Sequence, residues 1–247
     1  MVRHIYLCEN SAEGIFSAIY RAYEEGYPHE HNEVVIDTEG RNMELFCEYH
    51  TVVTNFEHAV KVARTIIHRC CGSYEVQKAD AIYRFVQEGL RMGRAVMSHL
   101  TAPYMQTLFA IERNFTNESH FFIEILRFEE LENGTLFGRI NPKSEVLPYL
   151  ADHFADRFAG EQWVIADTVH RTVLLHKANY KTVYLSMDEV DMDELTLTYS
   201  EDEKQLQKLW KLFVDTIAIK ERVNPKLQRQ MLPLRFRKYM KEFSESE

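Results

Sequence analysis

Three groups of side chains in this sequence combine the types and spacings that chemistry requires. In the first, Glu118, Ser119 and His120 stand together, with Arg127 close behind. A histidine beside a carboxylate can act as a general base or donate to a phosphate, and the same pair can equally cap a helix and shape a turn. In the second, His153 and Arg157 are four residues apart, hence on one helix face, and Trp163 and Asp167 follow. That face suits an anion; Asp152 and Asp156 beside it suit ordinary ion pairing as well. The third group is C-terminal: Arg222, Asn224, Lys226 and Arg229, then Arg235, Arg237 and Lys238, interleaved with Phe236 and Tyr239. Cations alternating with aromatics fit phosphate contact with base stacking, and they also fit an amphipathic segment docked on its own domain.

Other chemistry is poorly represented. There is no Walker loop, no G-x-G-x-x-G, no nucleophile elbow and no H-E-x-x-H. Cys70-Cys71 lacks a C-x-x-C partner, and in His29-Glu30-His31 neighbouring extended positions point apart, which reads as a solvated loop. Neither a metal site nor a cofactor is expected. Charge adds one strong signal: from Lys220 to Lys241 eight bases face Glu221 alone, in a chain of net charge −9. From Met187 to Glu203 there are eight acids and no base. The tail therefore either meets nucleic acid or folds back on this acidic belt, and the two are compatible if nucleic acid displaces the belt.

Elements must position these groups. With 247 residues, 45% hydrophobic and only 9 Gly and 6 Pro, the chain has the material of one large or two small packed domains. Its apolar runs are too short for a membrane span, and its N-terminus does not read as a secretory signal. Four cysteines in such a chain point to reduced thiols, so a cytoplasmic location is expected.

Periodicity predicts an α+β fold: a small N-terminal sheet-and-helix module over 1–93, and a helix-covered antiparallel sheet domain over 94–247. The first module carries strands at 4–8, 34–37 and 45–54. Its helices begin after Asn10 or Ser11, after Asn55 (spine Phe56, Val60, Ala63, Ile67 and Cys70) and near Tyr74. In the second, a helix over 104–116 precedes a hairpin of 121–131 and 136–140 around Asn133-Gly134. Ser144 opens a helix reaching Phe158, strands follow at 162–168, 172–177 and 182–187, and Leu206, Trp210, Phe213 and Ile217 stripe a long helix. Pro225 and Pro233 break the basic tail into two short helical pieces.

Read in order, several blocks resemble an uncharacterised bacterial family of DNA-metabolism or DNA-repair proteins. They are Tyr6-Leu7-Cys8-Glu9, Asp80-Ala81-Ile82-Tyr83-Arg84-Phe85, Asn117-Glu118-Ser119-His120, His153-Phe154-Ala155-Asp156-Arg157 and the run from Ile217 to Phe236. The resemblance implies a radical S-adenosylmethionine protein as neighbour and partner. In some members it implies fusion to a uracil-DNA-glycosylase-type domain. The family tends to carry Arg three residues after the position of Asp167, where this chain has His170 followed by Arg171. The expectation is a DNA-binding accessory to that partner, with Arg157, Arg222, Asn224, Lys226, Arg229, Arg235, Arg237 and Lys238 on the nucleic acid. One alternative is an enzyme acting on damaged DNA through Glu118, His120, His153 and Asp167. Another is a protein-interaction adaptor that touches no nucleic acid.

Overall fold

The computed structural model describes residues 2–39, 42–55, 57, 68–189 and 198–243. These divide into two units, Met1–Asn117 and Glu118–Glu247, each described below by itself. The division falls inside a helix, whereas the sequence reading divides the chain at 93/94.

In the first unit, β1 (Arg3–Cys8) lies between β2 (Asn32–Ile36) and β3 (Cys47–Thr51) in a three-stranded, all-parallel sheet. The register sets His4 between Asn32 and Glu48, and Tyr6 between Val34 and His50, so these side chains share one face. Helix α1 (Ala12–Glu24) starts at Ser11, whose hydroxyl accepts from the Gly14 N–H at 3.0 Å, the local reason the chain turns helical there. A single helical turn, α2 (His68–Cys71), precedes α3 (Lys78–Met92) and α4 (Pro103–Ile125). Ile15 and Ile19 of α1, Ile82 and Val86 of α3, and Leu108 and Ile111 of α4 pack with Tyr6, Val34 and Ile36 in one core. Most of the helix expected after Asn55 lies outside the described residues; Asn55 itself accepts from the Glu57 N–H at 2.9 Å.

The second unit holds a five-stranded sheet in sequential order: β4 (Phe128–Glu130), β5 (Leu136–Ile140), β6 (Trp163–Asp167), β7 (Thr172–His176) and β8 (Val183–Ser186). The Asn133-Gly134 turn forms as expected, with Gly134 at φ 78°. Three departures from the sequence reading matter. The sheet is mixed, because β5 and β6 are joined through helix α5 (Leu147–Arg157), and a helical crossover makes the strands it joins parallel. Residues 121–125 continue α4 instead of starting a strand: Phe115, Glu118, Ser119 and Phe122 are all buried, a helical repeat that its two polar members disguise. Ser144 does not cap α5; Val146 takes that position without a side-chain bond.

Trp163 is fully buried in an aromatic cluster with Phe128, Phe154 and Phe158 on one side of the sheet. Phe137, Val164, Ala166, Val173 and Leu131 fill the other side. Gly138 lets β5 pass beneath the end of α4, since a Cβ there would stand 3.1 Å from Leu126 Cδ1. Helix α6 (Glu201–Ile217) buries no residue, and α7 (Pro225–Met231) begins the basic tail.

Candidate functional site

The parallel strands β5 and β6 end side by side, and the loop leaving β5 (141–145) gathers several of the sequence-selected residues. Glu118, buried on α4, reaches that loop with both oxygens, accepting from the Lys143 N–H at 3.0 Å and the Ser144 N–H at 3.1 Å. Arg235 from the tail pairs with the same carboxylate, and the Arg235 carbonyl accepts from Asn141 Nδ2 at 3.1 Å. Glu118 thus joins a helix, a loop and the tail into one polar knot. It lies in mid-helix, so the helix-to-strand transition expected at 118–120 is not there. His120, two residues on, is exposed and bonds to none of these groups among the described residues.

Asp167 ends β6 with no exposed surface. One oxygen accepts from the Val169 and His170 N–H groups at 2.9 and 3.1 Å; the other meets His170 Nδ1 at 2.7 Å. The bond to Asp167 raises the His170 pKa above its ordinary value, against the opposing effect of burial, and the Lys143 carbonyl adds to the rise. Arg171 takes φ 54° and pairs instead with Asp188 at 2.7 Å. The titratable ring, not the neighbouring Arg, has taken the place beside the aspartate.

His153 and Arg157 do share a face of α5. His153 meets Phe154 edge-on, with its Nε2 buried and unpartnered, while Arg157 is exposed with its guanidinium over Phe158. No hydrogen bond joins either of them to Glu118 or Asp167 among the described residues.

The tail cations separate into two sets. Arg235 is tied to Glu118, Arg237 donates to the Leu232 carbonyl at 3.0 Å, and Lys241 pairs with buried Glu129. Arg222, Lys226, Arg229 and Lys238 are exposed and enter no ion pair among the described residues. Asn224 caps α7 by accepting from the Leu227 N–H at 3.1 Å, which fixes Lys226 and Arg229 three residues apart on that helix. The aromatics of this segment are already engaged. Phe236 is buried and stacked on Phe121 at 4.6 Å, and the Tyr239 hydroxyl lies 3.0 Å from Thr168 Oγ1.

The expected contact between tail and acidic belt falls partly outside the described residues, and among those described Arg235 and Lys241 pair with Glu118 and Glu129. Of the described belt acids, Asp188 pairs with Arg171, Glu201 with Lys204 at 2.6 Å, and Glu203 accepts from the Glu130 N–H at 3.3 Å, while Asp191, Asp193 and Glu194 lie outside the described residues. The tail's counter-charges are Glu118 and Glu129, each buried among elements that give it further donors. Sequence reasoning missed Glu129. It sits on β4, accepts from Arg139 at 3.0 Å and Tyr199 at 2.8 Å, and borders a cavity of about 220 Å³ with Trp210 and Lys241. Burial and then Glu129 push the Tyr199 hydroxyl up to about 12, so Tyr199 serves here as a donor. Also missed is a group on the N-terminal sheet, His4, Glu48 and His50, whose ligand atoms all lie within 4.8 Å of one another. The i, i+2 spacing of Glu48 and His50 on β3 was the one signal available; His4 joins them only through strand register.

A family described as a domain of unknown function, DUF4130, matches residues 76–242. The chain belongs to this family. The DUF4130 segment contains Glu118, Asp167, His170, Glu129 and every tail cation named above, whereas His4, Glu48 and His50 precede it. No curated protein matches the chain. Among solved structures, a DHH-domain protein described as a member of a ribosomal protein family aligns over 72% of this chain and 74% of that one, at 10% identity and a TM-score of 0.29. A likeness that low carries no argument about fold or function. Among the described residues, no helix is long and apolar enough to cross a membrane.

Proposed function

We propose that the protein binds DNA as an accessory factor in DNA metabolism or repair, working in the cytoplasm beside a radical S-adenosylmethionine protein. The observation that carries the DNA reading is the division of labour in the tail. Arg235 and Lys241 hold the segment against its own unit and Arg237 braces it internally, which leaves Arg222, Lys226, Arg229 and Lys238 exposed in an otherwise acidic chain. With Phe236 and Tyr239 occupied, the segment offers charge and not stacking platforms. The supported mode is therefore phosphate contact, indifferent to sequence and sensitive to salt.

The partner rests on the family resemblance, and one feature suits it. Helix α6 leaves Leu209, Leu212, Phe213 and Ile217 exposed, an apolar surface of the kind that marks protein contacts. The same helix favours the adaptor reading, in which a protein binds and DNA does not. Anisotropy titration of a labelled short duplex with the full chain separates them. Lys226→Ala and Arg229→Ala should each weaken binding several-fold, while Arg171→Ala, which removes a cation paired elsewhere, should leave it unchanged. No binding would leave the adaptor reading in its place, and binding indifferent to Lys226 and Arg229 would take the DNA contact away from this segment.

A further inference from the structure

We propose that His4, Glu48 and His50 form a mononuclear site for a divalent first-row metal ion. His4 Nδ1 lies 3.2 Å from His50 Nε2 and 3.6 Å from the nearer Glu48 oxygen. An ion held tetrahedrally by bonds of about 2.0–2.1 Å keeps its ligand atoms about 3.3–3.5 Å apart. Two of the three separations already stand close to that spacing, and the third lies within 4.8 Å. Parallel pairing of β1 with β3 brings them together, placing His4 opposite Glu48 and Tyr6 opposite His50 on a single face.

The surroundings orient the donors as a metal site requires. His50 Nδ1 lies 3.2 Å from the Glu25 carboxylate, and its other ring nitrogen, Nε2, is the one that faces His4. Glu25 is itself held by the Tyr6 hydroxyl at 3.0 Å and by Arg21 Nε at 2.8 Å. The His4 ring is clamped by Tyr27, stacked at 3.7 Å between centroids. Glu25 is also the C-terminal cap of α1, where the helix dipole favours a positive charge. One side stays open. The Glu48 side chain is 56% exposed, which leaves the ion's remaining position accessible from that side. Two imidazoles, one carboxylate and an accessible fourth position match sites that bind water or substrate on the metal better than closed structural sites.

Without an ion, the same geometry would be a hydrogen bond from His4 Nδ1–H to His50 Nε2, and the experiment must distinguish the two. The full-length protein, stripped with EDTA, is titrated calorimetrically with Zn²⁺, and Co²⁺ is added in parallel to read coordination from its visible absorption. One ion per chain is expected. Glu48→Gln should weaken binding at least 10-fold and abolish the Co²⁺ bands, and Glu25→Gln should weaken it by about 10- to 100-fold through His50. His120→Ala, which removes an exposed histidine elsewhere, should change neither reading. Because Glu48 is largely solvent-exposed, its amide variant is expected to fold, which circular dichroism checks, so this variant decides. Absence of stoichiometric uptake, or uptake by Glu48→Gln equal to that of the parent, would overturn the proposal.

Discussion

Both oxygens of Glu118 are occupied by two backbone amides and an arginine, so its role is structural support and the cost of losing it should appear in folding. Removing the carboxylate would leave the Lys143 and Ser144 amides without their acceptor, and a buried donor such as that of Ser144 costs about 1–3 kcal/mol when left unsatisfied. Glu118→Ala is expected to lower the free energy of unfolding by about that amount in a urea titration, whatever ligand is present. A variant as stable as the parent would show that the loop holds itself. His170 gives a pH signature. Its folded pKa lies above the ordinary value near 6.5, so protonation stabilises the fold. That contribution is complete below about pH 6 and is lost as the pH rises through the folded value. Melting temperature should therefore decline as the pH rises above about 6, and His170→Asn should flatten the decline. An unchanged profile in the variant would place the sensitivity elsewhere.

Elements were legible where their period was clean. Ser11 announces α1, the Asn133-Gly134 pair announces the β4–β5 turn, and the stripe Leu206, Trp210, Phe213, Ile217 announces α6. The turn can be tested directly, since Gly134 sits in the left-handed region where a Cβ is penalised by about 1–2 kcal/mol. Gly134→Ala should destabilise by about that amount, whereas Gly160→Ala, which meets nothing within 4 Å and has no positive φ, should be nearly neutral. Equal effects at both positions would argue against the turn as drawn. Legibility failed where a tertiary partner decided the outcome. Glu118 and Ser119 occupy buried helical positions because loop amides and a tail arginine are within reach, so residues 115–125 lose the apolar rhythm that would have marked one long helix. Strand direction between β5 and β6 follows from the α5 crossover, although each strand taken alone resembles a hairpin arm. The same limit hid His4, Glu48 and His50, which strand register alone assembles.

At the scale of the whole molecule, the account depends on how positive charge is distributed. A chain of net charge −9 repels polyanions unless some of its cations are kept clear of its own acids. The structure does this by giving the anchoring cations to Glu118 and Glu129 and leaving Arg222, Lys226, Arg229 and Lys238 outward. The most direct test is the dependence of DNA affinity on salt. If these four side chains each meet a phosphate, log K against log salt should fall with a slope of about −3 to −4 on duplex DNA. The fourfold alanine variant should bring that slope close to zero, with its melting temperature unchanged. A variant that keeps the parent's slope would contradict the assignment of DNA binding to this segment.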